Sequence, residues 1–105
     1  MRYDDLRKRL VHAVLTAPGE TPEALRRAVL EHARGAHDGV PPAFTRYVEK
    51  VANHAYRVTD EDIAALRSAG QSDDSLFEIT VAAAVGAALH RLDRGMAALR
   101  GQESD

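Results

Sequence analysis

From residue 76 to residue 89 the chain reads Leu-Phe-Glu-Ile-Thr-Val-Ala-Ala-Ala-Val-Gly-Ala-Ala-Leu, and only Glu78 and Thr80 in it are clearly polar. A helix that is apolar on all sides has to be covered on all sides. Ser72-Asp73-Asp74 offers a capping hydroxyl followed by an acidic first turn, so the helix is expected from about Asp73 to about Leu99. At 1.5 Å per residue it would span roughly 40 Å, long for a small domain. A chain of 105 residues leaves only short neighbours to cover it, about half its circumference. Small side chains also let another helix approach closely. The stripe Phe77, Val81, Ala84, Val85 and Ala88 is therefore expected to meet another subunit in a homo-oligomer. The alternative is a central helix buried within one subunit.

The rest of the chain reads as shorter helices. Leu6, Leu10, Val11 and Val14 recur at helical spacing behind Asp4 and Asp5, and Pro18-Gly19 closes that segment. Thr21-Pro22 is a start signal for a second helix, with Leu25, Ala28, Val29 and Ala33 on one face and Gly35 at its end. Residues 35–42 form the most loop-like stretch. A third helix from Pro42 carries Phe44, Tyr47, Val48, Val51, Ala52 and Ala55. Thr59-Asp60-Glu61-Asp62 resembles a capping box and opens a short helix that stops at Gly70. No segment alternates with period two for long, so the fold class is all-α, a five-helix bundle in one domain. Within it, 1–41 is an N-terminal helical pair and loop, 42–100 a core, and 101–105 a polar tail.

Composition narrows the function classes. Fourteen Lys+Arg against 16 Asp+Glu give a formal charge of −2, which provides no electrostatic basis for binding nucleic acid. The clusters Arg7-Lys8-Arg9 and Arg26-Arg27 are surrounded by acidic residues. Zero Cys excludes disulfides, thiolate metal sites and thiol redox chemistry. Alanine fills 19 positions, which favours helix. No signal-peptide pattern and no uninterrupted apolar run of about 18 residues is present, so a soluble cytoplasmic protein with no membrane contact is expected.

The segment Val58-Thr59-Asp60-Glu61-Asp62-Ile63-Ala64-Ala65-Leu66-Arg67-Ser68-Ala69-Gly70, then Gln71-Ser72-Asp73-Asp74-Ser75-Leu76-Phe77-Glu78-Ile79 and an Ala/Val/Gly-rich helix, resembles the alkylhydroperoxidase D-like family, also called the carboxymuconolactone decarboxylase family. The resemblance covers about the C-terminal half. It implies an all-helical fold assembled as trimers, hexamers or larger rings. It also implies a site that this chain lacks. The family's Cys-X-X-Cys would fall on Ala55 and Val58, with Tyr56 and Arg57 between them, its His on Asp62, and an assisting glutamate near Ala43. Thiol peroxidase or disulfide reductase activity needs a thiolate, and the chain has none. Decarboxylase-type members work without thiols, but Asp62 again replaces their His, and a carboxylate of ordinary pKa is a poor proton shuttle near neutrality.

Two functional readings follow. The first is a non-catalytic oligomeric accessory or structural subunit on a degenerate form of this fold, bound to itself and to a larger protein, with no cofactor. The second is a cysteine-free lyase or isomerase acting on a small carboxylated compound, with His54, Tyr56, Arg57, Asp62 and His90 lining its pocket; the same pocket without chemistry would be a ligand-binding module. Against it, Arg57 would pair with Asp60 or Glu61, and Tyr56 would simply pack. His32, His37 and Asp38 do not share one helical face, so no metal site is expected of them. Glu78, the one charge in the apolar run, needs a partner if buried, for which Arg67 or an arginine of another subunit is a candidate.

Overall fold

A computed structural model describes residues 2–35 and 39–101. Five α-helices account for most of them: α1 (Arg2–Thr16), α2 (Glu23–Ala33), α3 (Pro42–His54), α4 (Asp60–Ser68) and α5 (Asp73–Leu99), with a single 3-10 turn at Ala55–Arg57. No strand is present among the described residues. The expected tail, save Gly101, and residues 36–38 of the expected loop, with His37 and Asp38, lie outside the described residues.

Local chemistry sets most of the helix ends. The Thr59 hydroxyl accepts the Asp62 N–H and the Asp62 carboxylate accepts the Thr59 N–H, a reciprocal capping box at the start of α4. Gly70 at φ +99° ends that helix in a conformation L-residues avoid. The Ser72 hydroxyl accepts the Ser75 N–H and starts α5. The start of α2 differs from expectation: its N-cap position is Pro22, with no side-chain cap. The Thr21 hydroxyl is engaged across the fold instead, on Glu78 and Arg26.

The helices share one core, formed by Leu15 of α1, Val29 and Leu30 of α2, Phe44, Tyr47 and Val48 of α3, Leu66 of α4, and Leu76, Ile79, Ala82 and Ala83 of α5. α2 lies along α5 in the same direction, with Arg26 near Glu78 at one end and Arg34 on Asp93 at the other. α1 runs the opposite way, from Arg7 on Asp93 to the turn at Glu20 against Glu78.

Four of the small residues of α5 pack inside the chain. Ala82, Ala83, Gly86 and Ala87 are all buried within the chain. A Cβ on Gly86 would collide with the Leu30 carbonyl oxygen and the Ala33 methyl. On this face the helix that comes close is α2 of the same chain.

Coverage of α5 is nonetheless one-sided. Phe77 is 68% exposed and Leu99 80%, and Ala84, Ala88 and Leu92 are exposed on the same stripe.

Candidate functional site

The residues of the expected pocket divide into three places. His54 and Tyr56 meet edge to face at 6.0 Å, and the Arg57 guanidinium lies over the Tyr56 ring at 5.6 Å. All three are exposed, Tyr56 by 79%. Arg57 is thus stacked on its neighbour, and no ion pair joins it to Asp60 or Glu61 among the described residues. Asp62 is committed to the capping box and to Lys50, whose ammonium is 2.8 Å away. The Lys50 hydrogen bonds, helped by the Thr59 N–H, hold its carboxyl below the usual aspartate range. That direction is opposite to what a proton shuttle near neutral pH requires.

His90 stands apart, in a hollow of about 240 Å³ that it shares with His32, Glu49 and Asn53. The His32 ring nitrogen lies 3.0 Å from Glu49. No group of three or more His, Asp or Glu that could hold a metal ion occurs among the described residues.

Two polar junctions fix α1 and α2 against α5. At the first, the Glu78 carboxylate accepts the N–H groups of Glu20 and Thr21, each at 2.8 Å, and the Thr21 hydroxyl. The Thr21 hydroxyl bond and the backbone bonds hold its carboxyl below the usual glutamate range. Arg26, 5% exposed, donates to the carbonyls of Val14 and Ala17 at the end of α1, at 3.1 and 2.6 Å, and to the Thr21 carbonyl at 2.8 Å. It satisfies the terminal carbonyls that a helix leaves unpaired, while its Nε lies 3.9 Å from Glu78. Glu78 therefore has its partners within the chain. Arg67 pairs instead with Asp73, at 2.8 Å.

Asp93 forms the second junction, taking Arg7 at 2.7 Å and Arg34 at 2.9 Å. Neither Arg26 nor Asp93 stood out in the sequence as a junction. Arg26 did carry a signal, since positions 26, 29, 30 and 33 repeat at helical spacing and place it on the buried face of α2. The basic clusters of α1 and α2 are broken up by these contacts. Arg7 and Arg26 turn inward, and Arg27 pairs with Glu23.

What remains open is an apolar face on α1 and α5. On α5 it follows Phe77, Val81, Ala84, Ala88, Leu92 and Leu99; Val85, expected there too, is half-buried and packs on the core. On α1, Leu6 is 58% exposed and Leu10 46%, and Ala13 and Ala17 continue their line. A hollow of about 530 Å³ lies where the two helices meet, lined mainly by Ala13, Val14, Ala17, Pro18, Phe77 and Val81, with Glu78 at its edge. α5 is also long and apolar enough, by length and composition, to cross a membrane, although no single uninterrupted apolar run suggested it. Its opposite face is buried against α2 and α3 and carries the Glu78 and Asp93 junctions.

Comparison with known proteins finds no matching family model, no matching curated protein and no matching solved structure.

Proposed function

We propose that this chain is a non-catalytic, self-associating helical subunit, an accessory or structural component built on a degenerate alkylhydroperoxidase D-like core. The observation that carries the reading is the open apolar face of α1 and α5, with Phe77, Leu6 and Leu10 exposed on a chain that has few large apolar residues. Exposed apolar surface that is continuous across two elements marks an interaction site. The non-catalytic half of the reading is supported by the dispersal of His54, Tyr56, Arg57, Asp62 and His90, and by the engagement of Asp62 in structural bonds.

A subunit stabilised by its own copies unfolds at a temperature that rises with protein concentration. Thermal melts followed by circular dichroism over a hundredfold range, about 1–100 μM, are expected to show this rise. A midpoint independent of concentration, together with a monomer mass, would remove the self-association reading. Turnover of a small carboxylated compound that is lost in His54→Ala would remove the non-catalytic one.

A further inference from the structure

Resting on the self-association reading, we propose that α5 pairs antiparallel with α5 of a second copy across a two-fold axis, with Ala84 at the crossing. The distribution of side-chain size along the open stripe fits this pairing. The small residues Ala84 and Ala88 lie in its middle, with Phe77 toward one end and Leu92 and Leu99 toward the other. A two-fold beside Ala84, midway between Ala84 and Val85, sets Phe77 of one copy opposite Leu92 of the other and Val81 opposite Ala88. Bulky residues then pack beside the crossing, and methyl groups meet at it.

Charge selects the direction. Asp73 and Asp74 stand at the N-terminal end of α5, Asp73 also on Arg67, and Arg91, Arg94 and Arg100 stand at its C-terminal end, where Arg91 also donates to the Ala52 carbonyl and Arg100 to the Tyr3 hydroxyl. Antiparallel pairing brings the acidic end of one copy to the basic end of the other and opposes the two helix dipoles. A parallel pair would stack Asp on Asp and Arg on Arg, which is repulsive at both ends. α1 lies beside α5, so the second copy also reaches the hollow between Ala13, Ala17 and Phe77. There Leu92 of the second copy is the side chain placed to fill it.

The four helices α1, α5 and their copies then form one bundle across the axis.

The absence of cysteine from the chain makes the test direct. Ala84→Cys and Gly95→Cys are each introduced alone, on the open stripe, and oxidised in air beside sedimentation analysis of the unmodified protein. Two Ala84→Cys copies meet at the axis, within disulfide reach, whereas Gly95→Cys lies about 30 Å from its copy. Expected are a dimer or an even multiple of it in sedimentation, a disulfide-linked dimer for Ala84→Cys and none for Gly95→Cys. Asp74→Arg is expected to weaken association about tenfold. Cross-linking at both positions would mean a parallel pair and overturn the proposal. An oligomer in which neither position cross-links would place the contact elsewhere, overturning the pairing while leaving self-association intact. A monomer would overturn both, and a monomer that sediments with phosphatidylcholine vesicles would assign the face to a membrane instead.

Discussion

Gly86 of α5 lies directly against the carbonyl oxygen of Leu30 on α2, so that any Cβ at this position would overlap it. This contact sets how closely the two longest-paired helices approach, and with it the packing of Ile79, Ala82 and Ala83 on Val29 and Leu30. Gly86→Ala is expected to cost about 2 kcal/mol by overpacking, a fall in Tm of roughly 8–10 °C. Gly95→Ala has open space around it and is expected to raise stability by up to about 1 kcal/mol through helix propensity alone. Thermal melts of the two variants should move in opposite directions.

Glu78 makes stability depend on acid. Its carboxyl is held below its ordinary value by the Thr21 hydroxyl and the Glu20 and Thr21 N–H groups, and Asp62 is held low by Lys50 and Thr59. For both groups the folded state binds protons less readily than the unfolded one. The stabilisation is therefore complete above the ordinary carboxylate range, about pH 4, and is lost as pH falls through the lowered folded values. Glu78→Gln is expected to lower stability at neutral pH by about 2 kcal/mol and to flatten the acid limb. Tm measured from pH 7 to pH 3 in both proteins checks this; equal slopes would contradict it.

Arg26 joins the end of α1 to the start of α2 by charge-assisted bonds to the carbonyls of Val14, Ala17 and Thr21. Arg26→Met keeps much of the apolar stem but leaves buried carbonyls and the edge of Glu78 uncompensated. A loss of about 3 kcal/mol is expected, with Arg26→Lys intermediate because an ammonium cannot reach as many acceptors in one plane. Urea unfolding of the two variants gives the ranking.

The elements that local chemistry specifies were legible in the sequence. Ser72 and Thr59 announce α5 and α4, Gly70 ends α4, and the span of α5 follows from its run of small apolar residues. The long-range pairings were not. Glu78 and Arg26 are far apart in sequence, and nothing near either residue names the other. The Ala/Gly content of α5 signals a close helix without saying whose, and α2 of the same chain takes that place. The expected pocket was legible only in part. His54, Tyr56 and Arg57 come together because they are near neighbours in sequence, whereas His90 depends on where α5 crosses α3. Asp62 is held elsewhere, by its own cap and by Lys50.

Self-association of this chain requires another copy on the α1 and α5 face. Sedimentation equilibrium of the unmodified protein and of Val81→Glu, which puts a charge in the middle of that face, is the experiment to make. An oligomer is expected for the unmodified chain at micromolar concentration, and a folded, helical monomer for Val81→Glu. A monomer in both cases, or an oligomer that Val81→Glu leaves unchanged, would contradict it.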